Sequence, residues 1–255
     1  MSGIWPGDTR CVVMLGFDVD GVSSALNSNP DTAKLPSFMS MREYGPSVAA
    51  PRILDVLDKH EIKASFYIPG YVAETHEGLV ADIANRGHEV AHHGYMHEAP
   101  ATLTPEEELE VLDRGCEILE RITGQRTLGY RSPSWELSEY SIQYLIDRKF
   151  VYDSSLMGDD IPYVVSEGDS KIVEIPVHWE WDDHPYFSFA PALGGRSAMA
   201  SPEQVYQVWS AGFEGAYHYG RAFTLTMHPH IIGRPGRLRM LERLIEYMKS
   251  MPGVE

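Results

Sequence analysis

The chain has 255 residues, 21 Lys and Arg against 37 Asp and Glu, a formal net charge of −16, and 43% hydrophobic residues. That mix is globular and long enough to bury a sizeable core, which excludes a disordered chain. The acidic excess repels nucleic-acid phosphate and anionic lipid, and no apolar run approaches a membrane span, so neither nucleic acid nor membrane is an expected partner. The opening residues 1–8 lack the basic start and apolar stretch of a secretion signal. Cys11 and Cys116 lie far apart. Both features point to a cytoplasmic protein with free thiols.

No repeat, low-complexity tract or linker interrupts the chain, which reads as one domain over residues 1–255. Residues 12–17 form the first buried strand. Residues 46–60 carry a helical pattern in Val48, Ile53, Val56 and Leu57. A second strand, 64–68, stops at Pro69-Gly70. A helix over 79–84 ends at Arg86-Gly87, and 88–91 is a third strand. Thr104-Pro105-Glu106-Glu107 then sets an N-cap hydroxyl, a proline at the first helical position and a carboxylate three residues on. Leu109, Leu112, Cys116 and Leu119 repeat at helical spacing until Gly124. Strands at 127–130, 150–152, 172–178 and 223–227 follow, with helices over 138–148, from a second cap at Ser201-Pro202-Glu203-Gln204, and over 238–248.

Seven strands separated mostly by helices imply parallel pairing through right-handed crossovers. A closed or nearly closed β/α barrel is the first expectation and an open doubly wound sheet the second; in both, chemistry gathers beyond the carboxyl ends of the strands. The polar residues sit there: Asp18 and Asp20, His93 and His97, Arg131, Asp153, Trp181-Asp182-Asp183, and His228. Phe17-Asp18-Val19-Asp20-Gly21 aims two carboxylates at one spot, as a metal site or as an Asx turn. His93-Gly94-Tyr95-Met96-His97 places two imidazoles on one side if it is a helical turn. One carboxylate and two histidines make a catalytic type of metal site with open positions; a second carboxylate can take a proton from the attacking water, and His228 can give one to the leaving group. His230 suits either part.

These segments resemble the polysaccharide deacetylase family, the NodB-homology or carbohydrate esterase 4 group. Its T-F-D-D-G motif is matched by Phe17-Asp18-Val19-Asp20-Gly21, with one residue inserted between the acids. Its H-S/T-x-x-H is matched by His93-Gly94-Tyr95-Met96-His97, its R-x-P-like element by Tyr130-Arg131-Ser132-Pro133-Ser134-Trp135, and its late histidine by Leu225-Thr226-Met227-His228-Pro229. The inserted residue, Gly94, the Arg42-Glu43-Tyr44-Gly45 loop and the Trp181 to Phe187 segment resemble a subgroup with allantoinase-like, cyclic imide hydrolase-like and Helicobacter-type peptidoglycan deacetylase-like members.

The resemblance implies a single distorted seven-stranded β/α barrel assembled as a homotetramer or homodimer. It implies Zn²⁺, or another divalent transition metal, on Asp20, His93 and His97, with Asp18 as base, Arg131 ion-paired to it, and His228 as acid. A backbone N–H near Tyr130 and Arg131 is the expected oxyanion donor. Asp153-Ser154-Ser155 matches only part of the family's Asp–Trp motif, which leaves the residue that orients His228 unassigned. Tyr130, Trp135, Trp181 and Tyr44 are the expected substrate contacts, although the aromatic cluster of Trp135, Trp179, Trp181, Tyr186 and Phe187 suits a core as well as a pocket wall. The expected activity is hydrolysis of a non-peptide C–N bond in a small soluble amide, cyclic imide or ureide, because the acidic surface does not favour an acidic wall polymer. N-deacetylation of a glycan or oligosaccharide is the alternative, and a non-catalytic metal or ligand binder the second alternative.

Overall fold

In the computed structural model, which describes residues 4–191, 194–195 and 198–255, β1 (Val12–Asp18) lies between β2 (Ser65–Ile68) and β8 (Ala222–Met227) and is parallel to both. The sheet continues through β3 (Glu89–His92), β4 (Gly129–Tyr130), β5 (Tyr152–Asp153) and β7 (Ser170–Glu174), all parallel. β6 (Tyr163–Glu167) adds an antiparallel edge to β7, giving the order β6-β7-β5-β4-β3-β2-β1-β8. Beyond β7 the chain crosses to the other end of the sheet, where Asp182 bridges Thr226 and the Asp183 N–H donates to the Thr226 carbonyl at 3.2 Å. One bridge in place of a full ladder makes a distorted barrel, as expected.

The seven expected strands are the seven parallel ones. β6 escaped sequence analysis because it is a largely exposed edge strand with no buried apolar run. The two capped helices are as expected. In α6 (Pro105–Thr123) the Thr104 hydroxyl accepts from the Glu107 N–H, the Glu107 carboxylate accepts from the Thr104 N–H, and Gly124 closes with φ 67°. In α9 (Pro202–Tyr219) Ser201 and Gln204 do the same, ahead of Gly220 at φ 69°. The helix expected over 46–60 differs. It is α3 (Ala50–Lys59), entered through a π turn over Gly45–Ala49 that follows α2 (Pro36–Tyr44). Pro46 and Pro51 carry no N–H, so a regular ladder through this stretch loses two donors and the turn widens.

The main core gathers Phe17 and Phe66, stacked at 5.1 Å, with Ile53, Leu54 and Leu57 of α3, Trp209 and Phe213 of α9, and Phe223 and Leu225 of β8. A second cluster, Leu112, Tyr130, Leu145, Phe150 and Ile172, lies under α6 and α7 (Ser141–Asp147). Both cysteines are free thiols, and no described helix is long and apolar enough to cross a membrane.

Candidate active site

Parallel strands deliver their carboxyl ends to one rim. β1 ends on Asp18, with Asp20 two residues on, and β3 ends on His92, just before His93. His93 Nε2 lies 3.9 Å from Asp18 Oδ2 and 3.6 Å from Asp20 Oδ1, while His97 Nε2 lies 3.7 Å from Asp20 Oδ2. Donor atoms of Asp20, His93 and His97 all fall within 4.8 Å of one another. A tetrahedral ion with bonds of ~2 Å needs ligand atoms about 3.3 Å apart, so the set fits a metal with small adjustment.

Two further observations agree with that fit. Asp20 Oδ1 is buried without a hydrogen-bond partner. The His93 Nδ1–H donates to the Arg131 carbonyl at 2.7 Å, which leaves Nε2 bare and aimed at the cluster. Burial pushes the His93 pKa down to about 4, so the ring is neutral and free to ligate at neutral pH. Burial alone would raise the Asp20 pKa, but the imidazoles of His97 and His228 outweigh it and lower the value.

The two histidines do not share a helical turn. They sit in a loop after β3, with Gly94 at φ 73° and His97 itself left-handed at φ 64°. Glu98 holds the loop: its Oε2 accepts from the Tyr95 and Met96 N–H groups at 2.9 and 2.8 Å. A carboxylate thus supplies the convergence that helical spacing was expected to give.

Arg131 locks Asp18. Its Nη1 donates to Asp18 Oδ1 at 2.8 Å, its Nε and Nη2 donate to the Ser154 carbonyl and hydroxyl, and its guanidinium lies 3.9 Å over the Tyr67 ring. Gly16 makes room, since a Cβ there would sit 2.7 Å from Nη1. On the far side, the His228 Nδ1–H donates to Asp183 Oδ1 at 2.7 Å, and the His228 backbone N–H donates to Asp183 Oδ2 at 3.0 Å. Burial would lower the His228 pKa, but Asp183 and Asp182 outweigh it and hold the value well above the usual range. Burial pushes Asp182 up to about 7. Asp183 is the orienting residue that the motifs left unassigned. Its signal was its place after the sixth predicted strand, but only the crossing to β8 reveals its partner.

The expected substrate contacts fare unevenly. Tyr130 is buried in the second core cluster, stacked on His92 and edge-on to Phe150, so its side chain faces the helices and not the rim. The Arg131 N–H is engaged by the His92 carbonyl and the Ser132 N–H by Ser155 Oγ, so neither is free to stabilise an oxyanion. Trp181 packs on Phe223 at 4.9 Å and against Gly212 of α9, a core position. Trp135 is buried and lies on the half-exposed Trp179, ring centres 4.3 Å apart, just after the Arg131 segment. The Tyr44 hydroxyl donates to the Gly233 carbonyl, and its ring lines a cavity of about 720 Å³ beside Arg234. Of the four, Tyr44 lines this larger cavity, while Tyr130 lines only an internal space of about 10 Å³ between β3, β4, α6 and α7.

His230 joins neither proton-transfer group. Its Nε2 accepts from Arg42 Nη1 at 2.9 Å, and both side chains are buried. The segment 42–45, expected as a loop, is instead the end of α2 and the start of the π turn, and nothing in the sequence marks Arg42 as the partner of His230.

The polysaccharide deacetylase family model matches residues 34–151. A peptidoglycan deacetylase of Helicobacter pylori is 32% identical over 95% of this chain and 92% of its own length. The crystal structure of a putative polysaccharide deacetylase from Mycobacterium smegmatis, 37% identical, superposes with a TM-score of 0.96 over 100% of this chain and 89% of that one. The structure of Puue allantoinase, at 22% identity, shares the fold with a TM-score of 0.84 over 98% of this chain and 88% of that one. The chain therefore belongs to the polysaccharide deacetylase family, metal-dependent hydrolases of carbon–nitrogen amide bonds.

Proposed function

We propose that this enzyme adds water across the C–N bond of a small amide, cyclic imide or ureide, using one divalent transition metal, Zn²⁺ by preference, on Asp20, His93 and His97. Such an ion, when bound, polarises the carbonyl and acidifies water. Asp18, beside His93 and held by Arg131, accepts the proton of the attacking water. The imidazolium of His228, held by Asp183 through Nδ1, gives its Nε2 proton to the departing nitrogen. A binder that did no chemistry would need neither pair.

The observation that carries the choice of a small substrate is enclosure. Asp18, Asp20, His93 and His228 are all more than nine-tenths buried, and a nearby cavity of about 280 Å³ has in its wall His230, whose ring lies 5.9 Å from that of His228. A small ring suits that volume better than a polymer. N-deacetylation of a glycan is the second reading, favoured by the name and near-full-length match of the Helicobacter pylori relative. The test is turnover of allantoin, succinimide, hydantoin and N-acetylglucosamine oligomers, with and without chelator. Chelator-sensitive ring opening supports the first reading, and acetate release from the oligomers alone selects the second.

A further inference from the structure

Two cavities adjoin on the acid side of the site. The smaller, about 280 Å³, has Arg42 and His230 in its wall, together with Phe187, Arg234 and Arg237. The larger, about 720 Å³, shares Met41, Phe189 and Arg234 with it and is otherwise mostly apolar. In a chain of net charge −16, three guanidinium groups face one space. Elsewhere Arg86, Arg121, Arg148 and Arg243 each meet a carboxylate. Among the described residues, Arg42, Arg234 and Arg237 form no ion pair; Arg10, Arg52 and Arg126 also meet only hydroxyls or carbonyls, but they do not share a cavity wall as these three do.

Their surroundings hold them in place without neutralising them. Arg42 is 6% exposed, and its Nε has no hydrogen-bond partner. Arg234 lies 3.7 Å over the Tyr44 ring, and Arg237 lies 4.3 Å over Phe187 while donating to the Ile231 carbonyl at 3.0 Å. The acids whose fields reach Arg42 and Arg237 are Asp20 and Asp183. The first belongs to the metal ligand set and the second to His228. A buried guanidinium without an anion is costly, and a guanidinium fork matches a carboxylate well. The smaller cavity also lies close to the reaction centre, because His230 in its wall, bonded to Arg42, has its ring 5.9 Å from that of His228.

We propose that the substrate carries a carboxylate, seated against Arg42 and Arg237 with Arg234 at the mouth, while its amide lies at the Asp20–His93–His97 centre. This rests on the hydrolase reading for the amide, whereas the anion site stands on the arginines alone. A free carboxylated amide or ureide and the lactyl group of a muramic acid residue offer the same chemistry.

The test uses matched pairs that differ by the acid: hydantoin and hydantoin-5-acetate, N-acetylglycinamide and N-acetylglycine, N-acetylglucosamine and N-acetylmuramic acid. In the metal-loaded enzyme the acid member of at least one pair is expected to be preferred by tenfold or more in kcat/KM. Which pair responds tells a small acid from a muramyl source. Arg237→Gln, at the cavity wall, should cut that preference at least fivefold, chiefly through KM. Arg42→Gln should do the same if it folds. Calorimetry on the metal-free protein separates the two claims. N-acetylglycine or N-acetylmuramic acid should bind where its neutral partner does not, and Arg237→Gln should weaken that binding. Acid binding without turnover of any pair would sink the hydrolase reading and leave the anion site standing. Turnover with no preference for acids, or equal binding of acid and neutral partner, would overturn the anion site.

Discussion

Asp18 and Asp183 are both buried carboxylates at the rim, and each is hydrogen-bonded to a cation, at 2.8 and 2.7 Å. The chemistry each permits is opposite. Asp18 faces Arg131, a guanidinium that does not lose its proton, so the mobile proton in that pair is the one the carboxylate can accept. Asp183 faces His228, which can lose one, so the carboxylate makes its partner an acid. In the proposed reaction, the choice of cation at two similar pairs would divide base from acid across one metal centre.

Breaking the base side should give the largest effect. Asp18→Asn leaves the three metal ligands in place and should lower kcat by about 10²- to 10⁴-fold, with metal content unchanged. Near-normal turnover with a bound metal would remove Asp18 from its role.

The acid side should break more gently. Asp183→Asn removes the charge that holds the His228 proton, so kcat should fall by roughly 10- to 100-fold. The sign of the pH effect follows from the raised His228 value. Without Asp183 the imidazolium is lost at lower pH, so the alkaline limb of the kcat profile should move downward. An unmoved limb would show that His228 is not the titrating acid.

A third pair sharpens the contrast, because it contains no cation. Asp153 and Glu174 are register partners on β5 and β7, and Asp153 Oδ2 and Glu174 Oε2 are buried without another partner. Burial and the neighbouring Asp153 push Glu174 up to about 9, so one proton is held between the two. A raised acid pKa contributes stability that is full below the unfolded value of ~4.3 and fades as pH rises toward 9. Glu174→Gln keeps an acceptor for the Ser155 and Leu156 N–H groups. The melting temperature of the wild type should therefore fall relative to Glu174→Gln between pH 5 and pH 9. A constant difference across that range would argue against a shared proton.

The smallest effect belongs far from the rim. Thr104→Ala removes a helix cap and should cost about 1 kcal/mol in denaturant unfolding, with kcat unaltered. A large loss of kcat there would show that α6 couples to the site in a way these contacts do not provide.

What could be read from the chain alone divides along similar lines. The seven parallel strands, the two capping boxes and the rim position of Asp18, Asp20, His93, His97, Arg131 and His228 follow from local patterns that need no partner. Asp183 and Glu98 sit outside regular elements and Arg42 near the end of α2, and Asp183 and Arg42 meet histidines 45 and 188 residues away. Tyr130 and Trp181, expected as substrate contacts, pack elsewhere for a related reason. Each lies near a motif in sequence, but strand alternation turns Tyr130 outward and packing against α9 claims Trp181. Spacing identifies which rim a residue reaches, not which way its side chain points when the strand is two residues long, as β4 is.

The most direct measurement is metal content per chain, by elemental analysis after dialysis, for the wild type and for Asp20→Ala, His93→Ala and His97→Ala. One divalent ion per wild-type chain, lost or greatly weakened in each variant while far-ultraviolet dichroism stays native, is the predicted result. Full retention of the ion in all three folded variants would contradict a metal held by these side chains.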